Sequence, residues 1–384
     1  MISKKALNTP SSGIRLMYNA AVKYENVLNF CIGEPGFQTP EHIVEAARKA
    51  LLEGCTKYTH NAGVLKLRQA IADKLKRENH LDVDPEKNII CTTGAGEAIL
   101  LALLTLADPG DDVLIPAPGW TNYYGHLGIA GLNNVTVKTK EEDRFCPRAQ
   151  AIEEALTEKS RVLILNTPAN PTGTVIPESE LYEIAKIAEK YDLAVLADEP
   201  YEKFIYDEQK HVSFASLPKM AARTVTINSF SKTYCMTGWR VGYASGPEEV
   251  IRGMTKFQES VSSCVNAAAQ QGAVAALTGP QDEIKTMKAA YETCRNLLTE
   301  GLNHIAGFSC IKPQGAFYVF ANIEEMGMDS LSAAMMILDR TRITMAPGSS
   351  FGKDGEGFLR ISFCAGREDI EEMLLRLEKE FGRK

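Results

Sequence analysis

The chain has 384 residues, long enough for two domains, and its 45% apolar and 24% charged residues are ordinary for a globular protein. A net charge of −7 without a basic run argues against a nucleic-acid-binding surface, and the longest apolar run, 98–107, is too short to cross a bilayer. Nine cysteines without paired spacing, and no signal-peptide pattern, indicate reduced thiols and a cytoplasmic location.

The N-terminal part is predicted to be mostly irregular. Residues 1–40 contain one short helical stretch near 14–21. Thr39 is a plausible N-cap and Pro40 a plausible first residue of the helix that follows. A polar loop at 57–63 then precedes a second helix over about 64–78.

From residue 88 onward, apolar strand candidates alternate with helices. The candidates are 88–93, 112–116, 134–138, 161–166, 193–198, 224–228 and 241–245. This pattern predicts a mostly parallel sheet covered by helices on both faces. Ligands of such sheets bind at the carboxyl ends of strands, and Asn166, Asp198 and Asn228 end their runs.

The remainder of the chain changes pattern. It is helical from about 247 to 305, and short strands at 316–321 and 358–363 then mix with helices. We expect a second, α+β domain here, joined in space by the N-terminal segment.

A glycine-rich turn, 93–97, contains Ala95 and Gly96 between a strand and an apolar helix. Its backbone amides would favour a phosphate. A dinucleotide fingerprint would need a third glycine at position 99, which is Ile99. The alternative is a plain tight turn.

Residues that could bind a ligand follow two further strand candidates. Trp120 could stack on a flat heteroaromatic ring, or it could be a core or interface aromatic. Asn170, in the Pro- and Gly-rich stretch 166–173, could donate a side-chain hydrogen bond, although a turn asparagine is the common alternative.

Asp198 ends a buried strand, and Tyr201 follows three residues later. A buried aspartate needs a cationic partner or hydrogen bonds. A protonated pyridine nitrogen would supply such a partner. Alternatively, Asp198 caps the next segment.

The stretch 229–240 places Lys232 between small hydroxyl residues, with Arg240 eight positions later. The lysine amine can form a Schiff base with an aldehyde. Ser229 and the arginine can hold a phosphate. The alternative is a solvated loop lysine and a surface arginine.

Arg360 lies inside the apolar run 357–363. A charge in such a strand is unfavourable unless it is paired. A substrate carboxylate would pair with it in bidentate geometry. The structural alternative is an internal salt bridge to Asp or Glu.

In this order and spacing the motifs resemble those of the class I aminotransferases of fold type I, over nearly the whole chain. The resemblance implies an α/β fold with pyridoxal 5′-phosphate as cofactor and no metal. It implies a large cofactor-binding domain, 41–286, on a mostly parallel seven-stranded sheet. A smaller α+β domain, 287–384, would pack with an N-terminal segment, 1–40.

The resemblance also assigns roles around the cofactor. Lys232 would form the Schiff base, Asp198 would pair with the ring nitrogen, and Trp120 would stack on the ring. Tyr201 and Asn170 would bond the phenolic oxygen. The phosphate ligands would be Ala95, Gly96, Ser229, Arg240 and, from the second subunit of a homodimer with shared active sites, Tyr58.

The implied reaction is ping-pong transfer of an amino group from an L-amino acid to a 2-oxo acid such as 2-oxoglutarate. Gly33, Asn170 and Arg360 would hold the substrate α-carboxylate, and no nucleic acid or membrane is implied as partner. Two other activities share the scaffold: a pyridoxal-phosphate-dependent C–S β-lyase and a non-catalytic regulatory protein that binds the cofactor.

Side-chain selectivity is the remaining expectation. Some family members selective for acidic substrates carry a lysine in the first glycine turn, where this chain has Gly96. The pocket walls are expected to be Ile14, Phe37, Trp120 and Tyr123. These residues favour aromatic or bulky substrates, with aspartate also possible and Arg15 the first candidate to bind its side chain.

Overall fold

The computed structural model describes residues 1–9 and 13–384. The α-helices are α1 (Lys4–Asn8), α2 (Gly13–Ala21), α3 (Glu41–Leu52), α4 (Leu65–Asn79), α5 (Ala95–Leu106), α6 (Thr121–Ala130), α7 (Ala149–Ala155), α8 (Glu178–Lys190), α9 (Phe230–Thr233), α10 (Glu248–Val261), α11 (Ala267–Thr278), α12 (Asp282–Asn303), α13 (Ser330–Thr341) and α14 (Arg367–Phe381). The strands are β1 (Leu28–Asn29), β2 (Ile89–Thr92), β3 (Asp112–Ala117), β4 (Asn133–Lys138), β5 (Ser160–Asn166), β6 (Ala194–Asp198), β7 (Thr224–Ser229), β8 (Gly242–Ser245), β9 (Ser309–Cys310), β10 (Tyr318–Asn322), β11 (Ile343–Thr344), β12 (Ala346–Pro347) and β13 (Phe358–Ser362).

A seven-stranded sheet forms the larger core, in the order β2-β8-β7-β6-β5-β3-β4. Strand β8 is antiparallel to both of its neighbours, and the other pairs are parallel. In β6, Leu196 packs into the apolar cluster on one face, whereas Val195 and Ala197 pack into the cluster on the other. The predicted mostly parallel sheet with two covered faces is therefore confirmed.

A smaller antiparallel sheet has the order β12-β13-β10-β9 and packs with α12 and α13, which α14 contacts in turn. Strand β1 from the N-terminal part pairs with β11 in parallel. The N-terminal part thus contacts the α+β region through this strand pair.

The start of α3 differs from the expectation. The helix begins at Glu41 with Pro40 at the N-cap position. The hydroxyl of Thr39 instead donates to the carbonyl of Cys235 at 2.6 Å and accepts from Trp239 Nε1 at 3.2 Å. Thr39 is therefore used to join this segment to residues 235–239, and it is not the cap.

The parallel register brings the strand ends together. Asn166 is paired with Asp198 in register, and Asp198 is paired with Ile227 of β7. The polar residues that end β5, β6 and β7 therefore lie at one edge of the sheet. Across the described ranges, none of the helices is both long and apolar enough to cross a membrane.

Candidate active site

A cavity of about 210 Å³ lies at the carboxyl edge of the large sheet. The cavity is lined by all the residues expected to bind the cofactor or the substrate α-carboxylate, except Tyr58: Gly33, Ala95, Gly96, Trp120, Asn170, Asp198, Tyr201, Ser229, Lys232, Arg240 and Arg360. These residues come from many separate segments. The fold thus brings the separate motifs around one cavity.

Lys232 is held on the short helix α9. Ser229 caps this helix, its hydroxyl accepting from the backbone N–H of Ser231 at 3.1 Å. The Lys232 amine donates to the carbonyl of Gly33 at 2.6 Å. Burial lowers the pKa of Lys232 to about 8. More of this amine is therefore neutral near pH 7 than on a surface lysine, as a nucleophile or base requires.

Asp198 is buried at the end of β6 with one oxygen paired and one free. Its Oδ2 accepts from the Tyr123 hydroxyl at 2.5 Å. Its Oδ1 is buried without a hydrogen-bond partner among the residues described here. Burial raises the pKa of Asp198 to about 7. A cationic donor in the cavity would satisfy the free oxygen and favour the charged carboxylate.

The other end of the cavity is suited to an anion. Helix α5 begins at Ala95 without a side-chain cap. Its first backbone N–H groups can therefore donate to an anion in the cavity. Arg240 donates to the carbonyls of Thr237 at 3.0 Å and Thr93 at 3.3 Å. Gly94, at φ +81°, lies against this guanidinium, since a Cβ there would be 2.4 Å from Arg240 Nη2. The glycine thus allows the arginine to reach the helix N-terminus.

Arg360 lies in β13 with 2% of its surface exposed. Its guanidinium donates to Asn170 Oδ1 at 3.1 Å and to the carbonyl of Cys31. It lies 4.4 Å from the Tyr318 ring centroid and 5.0 Å from that of Phe351. Within the described ranges no carboxylate pairs with it, and its Nε has no partner. The internal salt bridge considered from the sequence is therefore not found there.

The expected pocket walls are only partly those observed. Ile14 and Trp120 line the cavity. Tyr123 lies behind Asp198, and Phe37 packs edge-on against Tyr291 at 5.8 Å, away from the cavity. Phe37 and Tyr123 are close to the motifs in sequence, which predicts them as walls, but neither lines this cavity.

Arg15 and Tyr58 lie outside the cavity. The side chain of Arg15 is exposed and lies over the Tyr18 ring at 5.4 Å. Tyr58 is 89% exposed. Within a single chain, neither side chain lines the cavity.

Sequence reasoning missed several lining residues, namely Ile32, Asn166 as a wall, Pro200, Ser231 and Tyr318. Among them, Tyr318 contacts a predicted site residue directly, because its hydroxyl lies 2.8 Å from that of Tyr201. In the sequence it stands in an apolar strand and is typical of a core aromatic. Only the pairing of β10 with β13, the strand of Arg360, brings it to the site.

The chain is similar to known proteins over nearly its whole length. A family model described as aminotransferase class I and II matches residues 25–377. The chain is 41% identical over 370 residues to aromatic-amino-acid aminotransferase 2 of Thermococcus litoralis, and equally to an aspartate aminotransferase of Pyrococcus abyssi. Each alignment covers 96% of this chain and 95% of the relative. A crystal structure of an aromatic aminotransferase from Pyrococcus horikoshii OT3 superposes with a TM-score of 0.91 at 40% identity, covering 95% of this chain and 98% of that chain.

Proposed function

We propose that this chain, which belongs to the class I and II aminotransferase family and is an amino-group transferase, uses aromatic or other bulky L-amino acids, with aspartate also accepted. The acceptor is a 2-oxo acid such as 2-oxoglutarate. One observation carries the proposal: Lys232, the free oxygen of Asp198 and Arg360, which has no carboxylate partner in the described ranges, face one cavity.

Members of this family depend on pyridoxal 5′-phosphate, and the cavity residues fit this group. The free Oδ1 of Asp198 suits a protonated ring nitrogen, and the partly neutral amine of Lys232 suits an aldehyde. The α5 N-terminus, Arg240 and Ser229 suit the phosphate. When bound, the cofactor supplies a carbonyl carbon for the amino group and an electron-withdrawing ring.

Four side chains set the electrostatics of the ring. Asp198 would hold the proton on the ring nitrogen, and Tyr123 keeps this carboxylate oriented through its hydrogen bond. Tyr201 would donate to the phenolic oxygen, where Asn170 would also contribute. These positions are fixed before the reaction begins, because buried packing and hydrogen bonds hold them. Trp120, which lines the cavity, would cover one face of the ring and help to exclude water.

Lys232 moves the protons. Its amine would accept the proton of the substrate α-carbon and hold it for the return transfer. A pKa of about 8 suits both tasks near neutral pH. The Gly33 carbonyl, 2.6 Å from the amine, keeps it at the edge of the cavity that binds substrate.

Arg360 binds the α-carboxylate common to all substrates. Asn170 and Cys31 fix its guanidinium by hydrogen bonds, and the rings of Tyr318 and Phe351 lie beside it. A carboxylate would balance its buried charge. Gly33 and Asn170 complete this subsite.

The proposed side-chain preference follows from the composition of the cavity walls. The walls Ile14, Ile32 and Trp120 are apolar or aromatic, and position 96 is a glycine. The relatives described above are named for aromatic amino acids and for aspartate. We therefore propose broad specificity with a preference for bulky side chains.

The proposed enzyme is a homodimer with shared active sites. Tyr58 is 89% exposed, as a residue that serves the partner's phosphate site would be in an isolated chain. Leu51 and Leu52 lie nearby in sequence, are 53% and 74% exposed, and offer apolar surface for an interface.

The division into 1–40, 41–286 and 287–384 remains our proposal. Helix α12 spans the boundary at 286, so the smaller unit would begin inside a helix. We also propose a cytoplasmic location, which the nine free thiols support.

A screen of half-reactions tests this function. The cofactor-loaded protein is mixed with single amino acids, and loss of the visible cofactor band is followed. Phenylalanine, tyrosine and leucine should react at least as fast as aspartate, each releasing its 2-oxo acid. Release of pyruvate and ammonia from cystathionine would indicate the β-lyase, and a protein that stays colourless with cofactor would indicate neither enzyme. Neither alternative gains support from the relatives reported above.

A further inference from the structure

Tyr318 joins the smaller sheet to the center of the site. It is buried in β10, and its ring lies edge-on to that of Tyr201 at 5.7 Å. The two hydroxyl oxygens are 2.8 Å apart. The Arg360 guanidinium lies 4.4 Å from the Tyr318 ring centroid. One side chain thus contacts both the expected phenol donor and the expected carboxylate ligand.

The Tyr318 hydroxyl also determines which residue can occupy position 33. A Cβ on Gly33 would lie 1.9 Å from this oxygen, so only glycine fits while the hydroxyl is there. The carbonyl of Gly33 accepts from the Lys232 amine at 2.6 Å. The Tyr318 hydroxyl is therefore enclosed by groups that belong to the site.

The hydrogen-bond count defines what the pair of tyrosines can do. Two hydroxyls carry two protons, and their mutual bond uses one. The other proton is available to a third oxygen in the cavity. Burial raises the pKa of Tyr318 to about 12, and Arg360 opposes that rise. Either hydroxyl could donate in their mutual bond. The Arg360 guanidinium lies over the Tyr318 ring, which favours Tyr318 as the donor and Tyr201 as the acceptor.

We propose that Tyr318 is a positioning residue: its hydroxyl donates to Tyr201, which turns the Tyr201 proton toward the cofactor's phenolic oxygen, and its ring supports the Arg360 guanidinium. Donation by Tyr318 polarises the Tyr201 hydroxyl and strengthens its own donation, as in any chain of hydrogen bonds. The aromatic face offers the buried arginine a site that does not compete with a substrate carboxylate. This inference rests on the proposed cofactor site.

The first test is a pH titration of the visible cofactor band in Tyr318→Phe protein. Without Tyr318, Tyr201 donates more weakly to the phenolic oxygen, which then carries more negative charge. That charge keeps the proton on the neighbouring Lys232 nitrogen to higher pH. The midpoint should rise by about half a unit to one unit, the equivalent of one hydrogen bond. In a Tyr201→Phe background the second substitution should add no shift, because the relaying phenol is gone.

Tyr291→Phe is the matched control. Tyr291 is as buried as Tyr318 and belongs to the same apolar cluster, but its hydroxyl has no hydrogen-bond partner among the described residues. Its removal should leave the midpoint unchanged. An equal shift in both variants would reflect loss of any buried hydroxyl and would overturn the proposal.

The second test addresses the ring and uses binding of 3-phenylpropanoate, a carboxylate without an amino group. Tyr318→Phe keeps the aromatic face and should bind it within about twofold of wild type, whereas Tyr318→Leu should bind it about three- to tenfold more weakly. Unchanged binding in Tyr318→Leu would overturn the support assigned to the ring.

The possible outcomes distinguish this inference from the proposed function on which it rests. A wild-type protein without a visible cofactor band would contradict the proposed function. A wild-type protein that titrates normally, together with Tyr318→Phe that has the same midpoint, would overturn only the role of Tyr318.

Discussion

Arg360→Lys is the substitution that tests the carboxylate subsite most sharply. The arginine is 2% exposed, and two of its nitrogens are already engaged, with Asn170 at 3.1 Å and with the carbonyl of Cys31. The planar group can keep these bonds and still present N–H donors to a carboxylate. An ammonium has three donors at one point and cannot reproduce that arrangement.

The magnitude follows from the bonds that are lost. Lysine keeps the positive charge but forfeits at least one charge-assisted hydrogen bond to the substrate, which is about 1.5–3 kcal/mol. This corresponds to a decrease of about tenfold to a hundredfold in kcat/KM. Every substrate has the same α-carboxylate, so the factor should be similar for all of them.

The assay is kcat/KM for phenylalanine, leucine, alanine and aspartate with one common 2-oxo acid. Arg15→Lys is the control, since Arg15 is exposed and lies outside the cavity, and it should react like wild type. A decrease of less than about threefold for all substrates would correspond to less than one charge-assisted hydrogen bond. Such a result would refute the assignment of Arg360 to the α-carboxylate. A decrease confined to aspartate would do the same, because Arg360 would then bind a side chain.

Three further predictions concern the partner, the specificity and the stability. Mixing inactive Tyr58→Ala and Lys232→Ala proteins under subunit exchange should restore activity, because one of the two hybrid sites has both residues; confirmed exchange without rescue would mean that each site is built from one chain. Gly96→Lys should raise kcat/KM for aspartate relative to phenylalanine by about fivefold, the usual effect of one exposed ion pair, whereas Gly96→Ala should not; a Cβ there has room, its nearest atom being 4.0 Å away on Trp120. Burial would raise the pKa of Glu202, but Lys74 and His211 outweigh it and hold the pKa at about 2. This carboxylate therefore stabilises the fold above its unfolded pKa of about 4.3 and loses that contribution as the pH falls toward 2. Urea unfolding of Glu202→Gln should depend less on pH across this window, and an unchanged dependence would contradict the assignment.

The large sheet and most of the cavity could be predicted because their signals are local. A continuous apolar run followed by a polar residue, as at Asp198, identifies both a buried strand and its carboxyl end. Parallel register then brings such ends to one edge without further information. Of the three predicted strand ends, Asn166 and Asp198 line the cavity, whereas Asn228 does not, because β7 continues to Ser229.

The remainder depends on long-range packing that has no local signal. Tyr318 reaches the site only because β10 pairs with β13, and Tyr123 faces the back of Asp198 although it follows Trp120 closely in sequence. Thr39 fits the pattern of a helix cap, yet its hydroxyl is used by Cys235 and Trp239, almost two hundred positions later. The sequence motifs give the type of residue needed, whereas tertiary contacts decide which partner it meets.

The central claim, that Lys232 is the residue which binds the cofactor aldehyde, has a direct measurement. The cofactor-loaded protein is reduced with borohydride, digested and analysed by mass spectrometry, with Lys232→Ala as control. The account predicts one modified lysine, Lys232, and a folded Lys232→Ala protein without the visible band or turnover. Modification of a different lysine, or normal transamination by Lys232→Ala, would contradict it.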